Sequence, residues 1–307
     1  MVAQTLPSKL FSLSQAIARF VPDGCSIALG TAQETLIPFA AGHEIIRQQK
    51  RALTLIGPIS DMLFDQLIGA GCVRRIRAAW VGNVITGSGY NFRRAVEKGD
   101  LEVEDHSNLT ISMALRAGAM GVPFMPTRTG LGSSLYQTNT NLKEMTCPFT
   151  GDTLTAVAAI NPDLAIIHVQ RADETGAAHL WGNLGITREA CLAAGRVIIT
   201  AEEIVPPEVI RSDPNRVIMP AFKVAAVVHA PWGAHPSPVP GYYNRDHDAF
   251  LDYQVSSRTP EQFEKWCEEW VTAAPSPDAY RQKLGAARQA GLAISQHAPA
   301  AEVNYGF

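Results

Sequence analysis

The stretch PWGAHPSPVPGYYNRDHDAF, from Pro231 to Phe250, carries two histidines and two aspartates. These residue types bind transition metals and transfer protons. However, His235 and His247 are twelve positions apart, so the stretch contains neither an H-x-x-x-H nor an H-x-H pair. Its prolines favour an extended backbone outside regular structure. The spacing therefore argues against a metal site, and we expect this protein to bind no metal.

A second group of ionisable residues lies in LEVEDHSN, just before a helical pattern. If this segment is an alternating strand, Glu102 and Glu104 are both solvated and carry no chemistry. Alternatively, Glu104 or Asp105 is a general base whose pKa is raised by neighbouring carboxylates. His106 is a candidate substrate-binding residue, and Ser107 is a candidate N-cap for the helix that follows.

Two glycine-containing loops follow apolar, strand-like runs. ALGTAQETLIP contains Gly30 and Thr31, and WVGNVITGSGY contains Gly82 and Asn83. Glycines allow a ligand to approach the backbone closely, and loops at this position bind ligands in α/β folds. Neither loop is a G-x-G-x-x-G fingerprint or a P-loop. For the first loop, a plain strand–helix turn is the alternative to a ligand loop. For the second loop we predict binding of an acyl or carboxylate group, with a mobile loop as the alternative. Gly30, Thr31, Gly82 and Asn83 are the candidate substrate-binding residues.

The elements that would position these residues alternate along most of the chain. Short apolar runs typical of buried strands are CSIALG, ALTLIG, RIRAAWVG, LAIIHVQ, RVIITAEEIV and VAAVVHAP. Helical patterns lie between them, including DMLFDQLIGAG, in which Asp61 is the expected N-cap and Gly71 the stop. This alternation predicts an α/β fold with an open, mostly parallel sheet flanked by helices.

After residue 255 the pattern becomes helical only. Thr259 followed by proline predicts a helix start, and a second helix is expected after a proline-containing break. We therefore predict a domain of residues 1–255 and a C-terminal helical extension of residues 256–307. Trp266 and Trp270 either pack on the parent domain or help a partner subunit to dock.

The bulk composition excludes several classes of protein. The 307 residues carry a net charge of −3, which offers no footprint for nucleic acid. The five cysteines are scattered, as in proteins of a reducing compartment. We see no signal peptide, and the apolar runs are too short to span a bilayer. We expect a cytoplasmic protein that binds neither nucleic acid nor membrane.

Several stretches occurring in order resemble the α (A) subunit of the family I coenzyme A transferases, in the glutaconate and 3-oxoacid branch. They include HEIIRQ, LIGAGCVRR, RRAVEKG, GAMGVPFMPTRTGLGSSL and CPFTGDTLTAVAAINPDLAIIHVQRADETGAAHLWG, and the resemblance runs from about Cys25 to Tyr253. It implies the CoA-transferase version of the open α/β sheet. It also implies a catabolic enzyme of two α and two β subunits, with the active site where α and β meet. The substrates would be an acyl-CoA and a carboxylic or 3-oxo acid, with CoA thioester as substrate and no permanently bound cofactor.

The resemblance places the catalytic nucleophile outside this chain. These transferases use a glutamate of the β subunit in an E-x-G setting, and the nearest match here is Glu174-Thr175-Gly176. We interpret Glu174 as a turn residue. The chain also has Gly30-Thr31-Ala32-Gln33 where many α subunits have GGFG, so the resemblance does not assign an oxyanion hole.

Three alternatives remain at this point. Related α/β pairs open a ring in CoA-linked steroid degradation products and use a glutamate of the α chain in a LEIEEHSH-like stretch, which corresponds to Glu104 here. A protein that only binds or scaffolds is the alternative of another class. A sugar-phosphate isomerase of similar fold is less favoured, because the basic residues cluster only at Arg74, Arg75 and Arg77.

The resemblance also offers a role for the stretch from Pro231. Such Pro/Gly/Tyr segments occur in α subunits without a metal. We expect an extended arm in which Tyr242, Tyr243 and the prolines face the partner chain or the acyl group. His235 is then a candidate substrate-binding residue in the active site.

Overall fold

The computed structural model describes residues 7–294. Its strands are β1 (Ser26–Ala28), β2 (Leu53–Ile59), β3 (Val73–Trp80), β4 (Gly82–Asn83), β5 (Gly87–Ser88), β6 (Glu102–Asp105), β7 (Phe124–Thr127), β8 (Leu142–Thr146), β9 (Thr153–Ala158), β10 (Leu164–Ala172), β11 (Ala178–His179), β12 (Arg196–Ile204) and β13 (Val224–His229). Its α-helices are α1 (Leu13–Phe20), α2 (Phe39–Arg47), α3 (Asp61–Gly69), α4 (Tyr90–Lys98), α5 (Asn108–Met120), α6 (Leu135–Thr138), α7 (Thr187–Ala193), α8 (Pro207–Arg211), α9 (His247–Ser256), α10 (Pro260–Cys267), α11 (Pro277–Leu284) and α12 (Ala286–Leu292). Short 3₁₀ turns lie at Pro214–Arg216 and Ala221–Lys223, and a π-helical stretch, Glu268–Thr272, continues α10.

The main sheet is open and parallel. Its strand order is β13-β12-β10-β1-β2-β3-β6, and every neighbouring pair in this order is parallel. The short strand β11 adds an antiparallel pairing to β10. The prediction of a mostly parallel α/β sheet is therefore confirmed. Because the strands share one direction, all their carboxyl ends lie along one edge of the sheet.

Helices cover both faces of this sheet, which explains why its central strands are apolar nearly throughout. On one face Ile17, Leu63 and Phe250 belong to a core that α1, α2, α3 and α9 build against the sheet. On the other face Leu115 of α5 and Ala190 of α7 belong to the second core. A smaller antiparallel sheet, in the order β7-β9-β8, and the β4–β5 hairpin lie outside the main sheet.

Of the three helix N-caps predicted from the sequence, the structure confirms two and contradicts one. Ser107 caps α5 in a complete capping box with Thr110, and the Thr259 side chain accepts a hydrogen bond from the backbone N–H of Gln262 at the start of α10. Both predicted helix starts are confirmed. The prediction of Asp61 as an N-cap is wrong, because Ser60 holds that position and the Asp61 side chain points to other partners.

The C-terminal helices pack on the rest of the chain. Phe263 of α10 is buried in the core, and the Trp266 ring contacts the rings of Tyr253 and Phe263 at centroid distances of 4.8 and 6.1 Å. Trp266 is half-buried and packs against the chain's own core, as the first alternative expects, and a docking role for Trp266 and Trp270 stays a prediction. The expected last helix consists of α11 and α12, which are separated at Gly285. Residues 295–307 of the predicted extension lie outside the described residues. Among residues 7–294, no helix is long and apolar enough to cross a bilayer.

Asp65 joins three helices through one buried carboxylate. It accepts hydrogen bonds from the Tyr253 hydroxyl at 2.7 Å, from the Phe92 backbone N–H at 2.7 Å and from Asn91 Nδ2 at 3.1 Å. Burial raises the pKa of Asp65, and the hydrogen bond from Tyr253 is the largest effect that opposes the rise. Helices α3, α4 and α9 are thus held together by a single shared acceptor.

We predict that Asp65→Ala lowers the free energy of unfolding by about 2–4 kcal/mol, because the substitution leaves several buried donors without an acceptor. Urea unfolding of the purified protein measures the change. Asp100→Ala removes an exposed aspartate and serves as the control, with an expected change within about 0.5 kcal/mol. Equal stability of the two variants would contradict the role of Asp65.

Candidate functional site

The carboxyl edge of the sheet brings together the loops that the sequence predicts as binding loops. Gly30 and Thr31 follow β1, Asp61 follows β2, and Gly82 and Asn83 follow β3. In open α/β sheets, ligands bind at the carboxyl ends of the strands. The two predicted glycine loops therefore share one edge, with Asp61 at the end of the strand between theirs.

A buried ionic cluster lies at this edge. Arg245 Nη2 donates to Asp61 Oδ2 at 2.8 Å, and Asn83 Nδ2 donates to Asp61 Oδ1 at 2.8 Å. Arg245 Nη1 reaches Glu34 Oε2 at 3.3 Å, and the guanidinium lies over the Phe250 ring at 4.2 Å from its centroid. We call Asp61, Arg245, Asn83 and Glu34 the edge cluster. It joins three strand-end loops to the segment that follows β13.

Asp61 is unusual in both its charge and its backbone. Burial raises the pKa of Asp61 to about 6, although Arg245 and Asn83 favour the ionised form. Its φ of 48° lies in the left-handed region, which a residue with a side chain rarely adopts. The fold therefore tolerates a local backbone cost in order to place this carboxylate against Arg245.

Two glycines of the predicted site are required by close packing. A Cβ at Gly30 would lie 2.5 Å from Ser60 Oγ, and one at Gly82 would lie 2.4 Å from the Gly87 carbonyl oxygen. Thr31 has a different environment, because its buried hydroxyl hydrogen-bonds Thr187 Oγ1 at 3.0 Å. The Thr31 side chain is therefore committed to the interior, which leaves its backbone as the part that could meet a ligand.

His235 lies in a second buried network. Its Nδ1 is 2.8 Å from the Tyr280 hydroxyl and its Nε2 is 2.9 Å from Asp246 Oδ2. Arg288 donates to the same carboxylate from Nε at 2.5 Å and from Nη2 at 2.8 Å. Burial lowers the pKa of His235, although the bond to Asp246 favours its charged form. His235 thus links the segment after β13 to α11 and α12.

The expectation of an extended arm that presents its tyrosines and prolines to a partner chain or the acyl group is wrong for most of the stretch. Residues 233–241 are buried, and so is Tyr243. The Tyr243 hydroxyl donates to Glu202 Oε1 at 2.8 Å, and its ring stacks on Trp232 at a centroid distance of 4.2 Å. Tyr242, by contrast, is intermediate in exposure. The prolines therefore shape a packed segment, and within residues 7–294 no group of histidine, cysteine and acidic residues could hold a metal.

Glu202 is an acceptor in this region that reasoning from the sequence missed. It also contacts His168 Nε2 at 2.7 Å and accepts from the Trp232 backbone N–H at 2.8 Å. Glu202 stands near the end of an apolar strand run, and a buried carboxylate in such a run requires partners. The position of this glutamate in an apolar run could therefore have indicated a buried, hydrogen-bonded carboxylate. The partners themselves come from β10 and from the segment after β13.

Glu104 lies in a third network, on the edge strand β6. Arg77 donates to Glu104 Oε1 from Nε at 2.8 Å and Nη2 at 2.6 Å, and His106 Nε2 lies 2.9 Å from the same oxygen. Asn139 Nδ2 donates to the backbone carbonyl of Asp105 at 2.8 Å. The expectation of a solvated Glu104 is wrong, whereas Glu102 is exposed and pairs with an exposed arginine as expected of a surface residue.

The environment of Glu104 makes it a weak base. Burial alone would raise its pKa, but hydrogen bonds from His106 and Arg77 outweigh burial and hold the pKa at about 2. An ionised carboxylate only accepts hydrogen bonds, so His106 Nε2 carries the proton of the bond to Glu104. A general base works best with a pKa near the working pH. The prediction of a raised pKa at Glu104 is therefore wrong.

Glu174 is confirmed as a turn residue. It is exposed, and it lies between β10 and β11 in a turn closed by the Asp173–Ala177 backbone hydrogen bond. The Asp173 carboxylate accepts from the Thr175 backbone N–H at 2.8 Å and from its hydroxyl at 2.7 Å. Among residues 7–294, no base or charged side chain bonds the Glu174 carboxylate in the way that would mark an activated nucleophile.

Known proteins share most of this sequence pattern. A family model described as coenzyme A transferase matches residues 11–230. The chain is 41% identical over 280 residues to the A subunit of a 3-oxoadipate CoA-transferase from Pseudomonas knackmussii, which covers 90% of this chain and 98% of that one. It is 36% identical over 304 residues to the A subunit of the glutaconate CoA-transferase from Acidaminococcus fermentans, covering 94% and 95%.

Structural similarity agrees with the similarity in sequence. The crystal structure of the Acidaminococcus fermentans enzyme matches with a TM-score of 0.89, over 94% of this chain and 96% of that one. A cholesterol ring-cleaving hydrolase subunit from Rhodococcus jostii is more distant, at 27% identity over 89% of this chain and 94% of that one.

We predict that Glu104→Gln destabilises the protein by about 1–3 kcal/mol at pH 7. The folded-state pKa is lowered from 4.5 to about 2, so the ionised carboxylate stabilises the fold above pH 4.5, and this stability is lost as the pH falls towards 2. Urea unfolding at pH 7, 4 and 3 should therefore show that the difference in free energy of unfolding between wild type and variant shrinks as the pH falls.

Glu102→Gln is the matched control on the same strand. Its carboxylate is half exposed in a surface ion pair, so its effect should stay below about 1 kcal/mol at each pH. A difference for Glu104→Gln that does not change with pH would contradict the proposed electrostatics.

Proposed function

Because the chain belongs to the coenzyme A transferase family, we propose that it is the A subunit of a two-chain enzyme that moves CoA between an acyl-CoA and a carboxylic or 3-oxo acid. The observation that carries the proposal is similarity to CoA-transferase A subunits over nine-tenths or more of the chain. The CoA thioester is a substrate in this proposal, and no resident cofactor is required.

The covalent step in this proposal takes place on the partner, the B subunit. A glutamate carboxylate of that partner attacks the thioester carbonyl, which releases the CoA thiolate and forms an acyl-glutamyl anhydride. The thiolate then attacks the glutamyl carbonyl and releases the first acid, leaving a glutamyl-CoA thioester. The second acid reverses these two steps and leaves as its CoA ester, so each C–S bond broken is balanced by one formed.

This chain contributes the acyl-binding side of the site. We propose that Gly30, Gly82 and Asn83 line it, together with the backbone of Thr31, because their loops share the carboxyl edge of the sheet. His235 is buried, so its proposed contribution is to hold the segment after β13 in place.

His106 has a comparable proposed role, on the loop that follows the outermost strand β6. It is buried and bonded to Glu104, so it orients that carboxylate instead of meeting the substrate. The ring-opening hydrolase is the second candidate function, since one relative carries that name. The pKa of about 2 at Glu104 counts against it, because a hydrolase would need this residue as its base.

The proposal also covers the assembly, the location and the domain bounds of the protein. The relatives' designation as A subunits supports a hetero-oligomer with a B subunit, with two copies of each chain as the proposed stoichiometry. A cytoplasmic location fits the five unpaired cysteines, and a catabolic role is part of the same proposal. We propose residues 1–255 as the family domain and residues 256–307 as an extension, the described part of which packs on that domain through Phe263.

We predict that the isolated chain does not transfer CoA and that activity returns when the B subunit is added. The described residues place no activated glutamate at the carboxyl edge, so the covalent step has no nucleophile without the partner. Exchange between an acyl-CoA panel and a panel of acids, followed by chromatography, measures transfer. Turnover by the isolated pure chain that matches the reconstituted assembly would contradict the proposal.

The two enzymatic candidates differ at Glu104. In a transferase, Glu104→Gln should lower the rate of CoA transfer by less than about tenfold, because the residue orients neighbours and takes no proton. Loss of a general base would cost about 10²–10⁴-fold. Steady-state kinetics of the assembled enzyme, with Glu102→Gln as the control, distinguish the cases. A loss beyond about a thousandfold with intact assembly would favour the hydrolase.

A further inference from the structure

The tip of the β4–β5 hairpin has a composition that is unusual for an exposed turn. It consists of Val84, Ile85 and Thr86, which join Asn83 to Gly87. Glycine, proline, asparagine, aspartate and serine dominate turns, whereas β-branched apolar residues are typical of packed strands. Nevertheless, Val84 and Ile85 are 61% and 57% exposed. A turn that presents two adjacent apolar residues to water is expected where another protein surface covers it.

Hydrogen bonds from both ends of the tip hold it in one conformation. The Ile85 backbone N–H donates to Asn83 Oδ1 at 2.8 Å, and Gln254 Nε2 donates to the Thr86 carbonyl oxygen at 3.2 Å. Asn83 is itself buried and donates to Asp61. Since these bonds order the turn in the chain alone, little conformational entropy is lost when a partner binds it.

Helix α4, which follows the hairpin, places an aromatic and a cationic side chain beside it. A Cβ at Gly87 would lie 3.8 Å from Arg93 Nη2, so the guanidinium flanks the second strand of the hairpin. The same guanidinium lies over the Tyr90 ring at 5.3 Å from its centroid. Arg93 is exposed, and within residues 7–294 no carboxylate forms an ion pair with it. An apolar centre with tyrosine and arginine around it is typical of a protein interface.

The position of the tip indicates which partner covers it. In the proposed function, a glutamate of the B subunit must reach an acyl group held beside Gly82 and Asn83. Val84 and Ile85 follow Asn83 directly, so their Cα atoms lie within about 8 Å of its Cα atom. A stable interface buries about 800 Å² on each partner, which is a patch roughly 30 Å across. A patch of that width around the incoming glutamate includes the hairpin tip.

We propose that Val84 and Ile85 form a docking element that inserts into an apolar pocket of the B subunit, and that a carboxylate on the rim of this pocket pairs with Arg93. The inference rests on the proposed function and assigns the surface through which the partner reaches the site. Asn83 links docking to the site, because its amide oxygen bonds the tip and its amide nitrogen bonds Asp61.

The test replaces both tip residues and measures the Kd for the purified B subunit by analytical ultracentrifugation, without any CoA ester. Val84→Asp/Ile85→Asp should raise the Kd by about a hundredfold, because apolar burial is lost and two charges enter a desolvated pocket. Val84→Thr/Ile85→Thr keeps the branched side chains and should raise the Kd by about tenfold. Circular dichroism and urea unfolding of each variant chain check that it is folded.

Phe222→Asp is the matched control. Phe222 is 82% exposed, but it lies in the turn before β13, at the amino edge of the sheet. Its replacement should change the Kd by less than about threefold. Arg93→Gln tests the rim of the pocket. It should raise the Kd by about twofold to fivefold at low salt, and the effect should shrink at high salt because screening weakens an exposed ion pair.

The rate of CoA transfer separates docking from chemistry. Because the two tip side chains are not part of the proposed acyl site, an excess of B subunit should return the kcat of Val84→Thr/Ile85→Thr to within about threefold of wild type. The concentration of B subunit that gives half of the maximal rate should rise in parallel with the Kd.

The outcomes separate this inference from the proposed function. If both tip variants bind the B subunit within about threefold of wild type, or if Phe222→Asp weakens binding as much as they do, the docking role is overturned and the transferase stands. An Arg93→Gln effect that is absent or independent of salt overturns the acidic rim. If the wild-type assembly forms but transfers CoA from no member of a wide acyl-CoA panel, the proposed function fails, and the Kd values still decide the docking surface. If the two chains do not associate, both fail.

Discussion

A charge that is buried at the carboxyl edge of the sheet must be paired, and this constraint organises the functional half of the chain. Asp61 is paired with Arg245, and Asp246 with His235 and Arg288. Glu202 obeys the same rule with partners from β10 and from the segment after β13. Because each of these networks joins residues from separate elements, together they lock the segment after β13 onto the rest of the edge.

This rigidity suits the division of labour between two chains. The carboxylates at the edge are committed as hydrogen-bond acceptors, and Glu104 is held ionised by Arg77 and His106. Among the described residues none of these is placed as a free nucleophile, which agrees with the proposed role of this chain in shaping the acyl-binding side of the site. In a site that is preorganised in this way, ordering of loops and side chains on binding of substrate and partner costs little free energy. The covalent chemistry can then depend on one glutamate of the partner.

The sheet could be predicted from the sequence because buried parallel strands have continuous apolar sequences, such as VAAVVHAP around β13. The glycine loops could be predicted because they follow those runs. The edge cluster could not, because Asp61 and Arg245 are 184 positions apart and each has an ordinary local explanation. Tyr243 was misjudged for a related reason. Proline-rich stretches are usually exposed, and only its distant acceptor Glu202 explains why this one is buried.

The most direct test of the division of labour is to find which chain carries CoA during turnover. The complete assembly is incubated with an acyl-CoA without acceptor, quenched, separated into its two chains and weighed by intact mass spectrometry. We predict a CoA adduct on the B subunit, mapped by peptide analysis to a glutamate, and no added mass on this chain. A covalent CoA adduct on this chain, at Glu104, Glu174 or any other carboxylate, would contradict the proposed division.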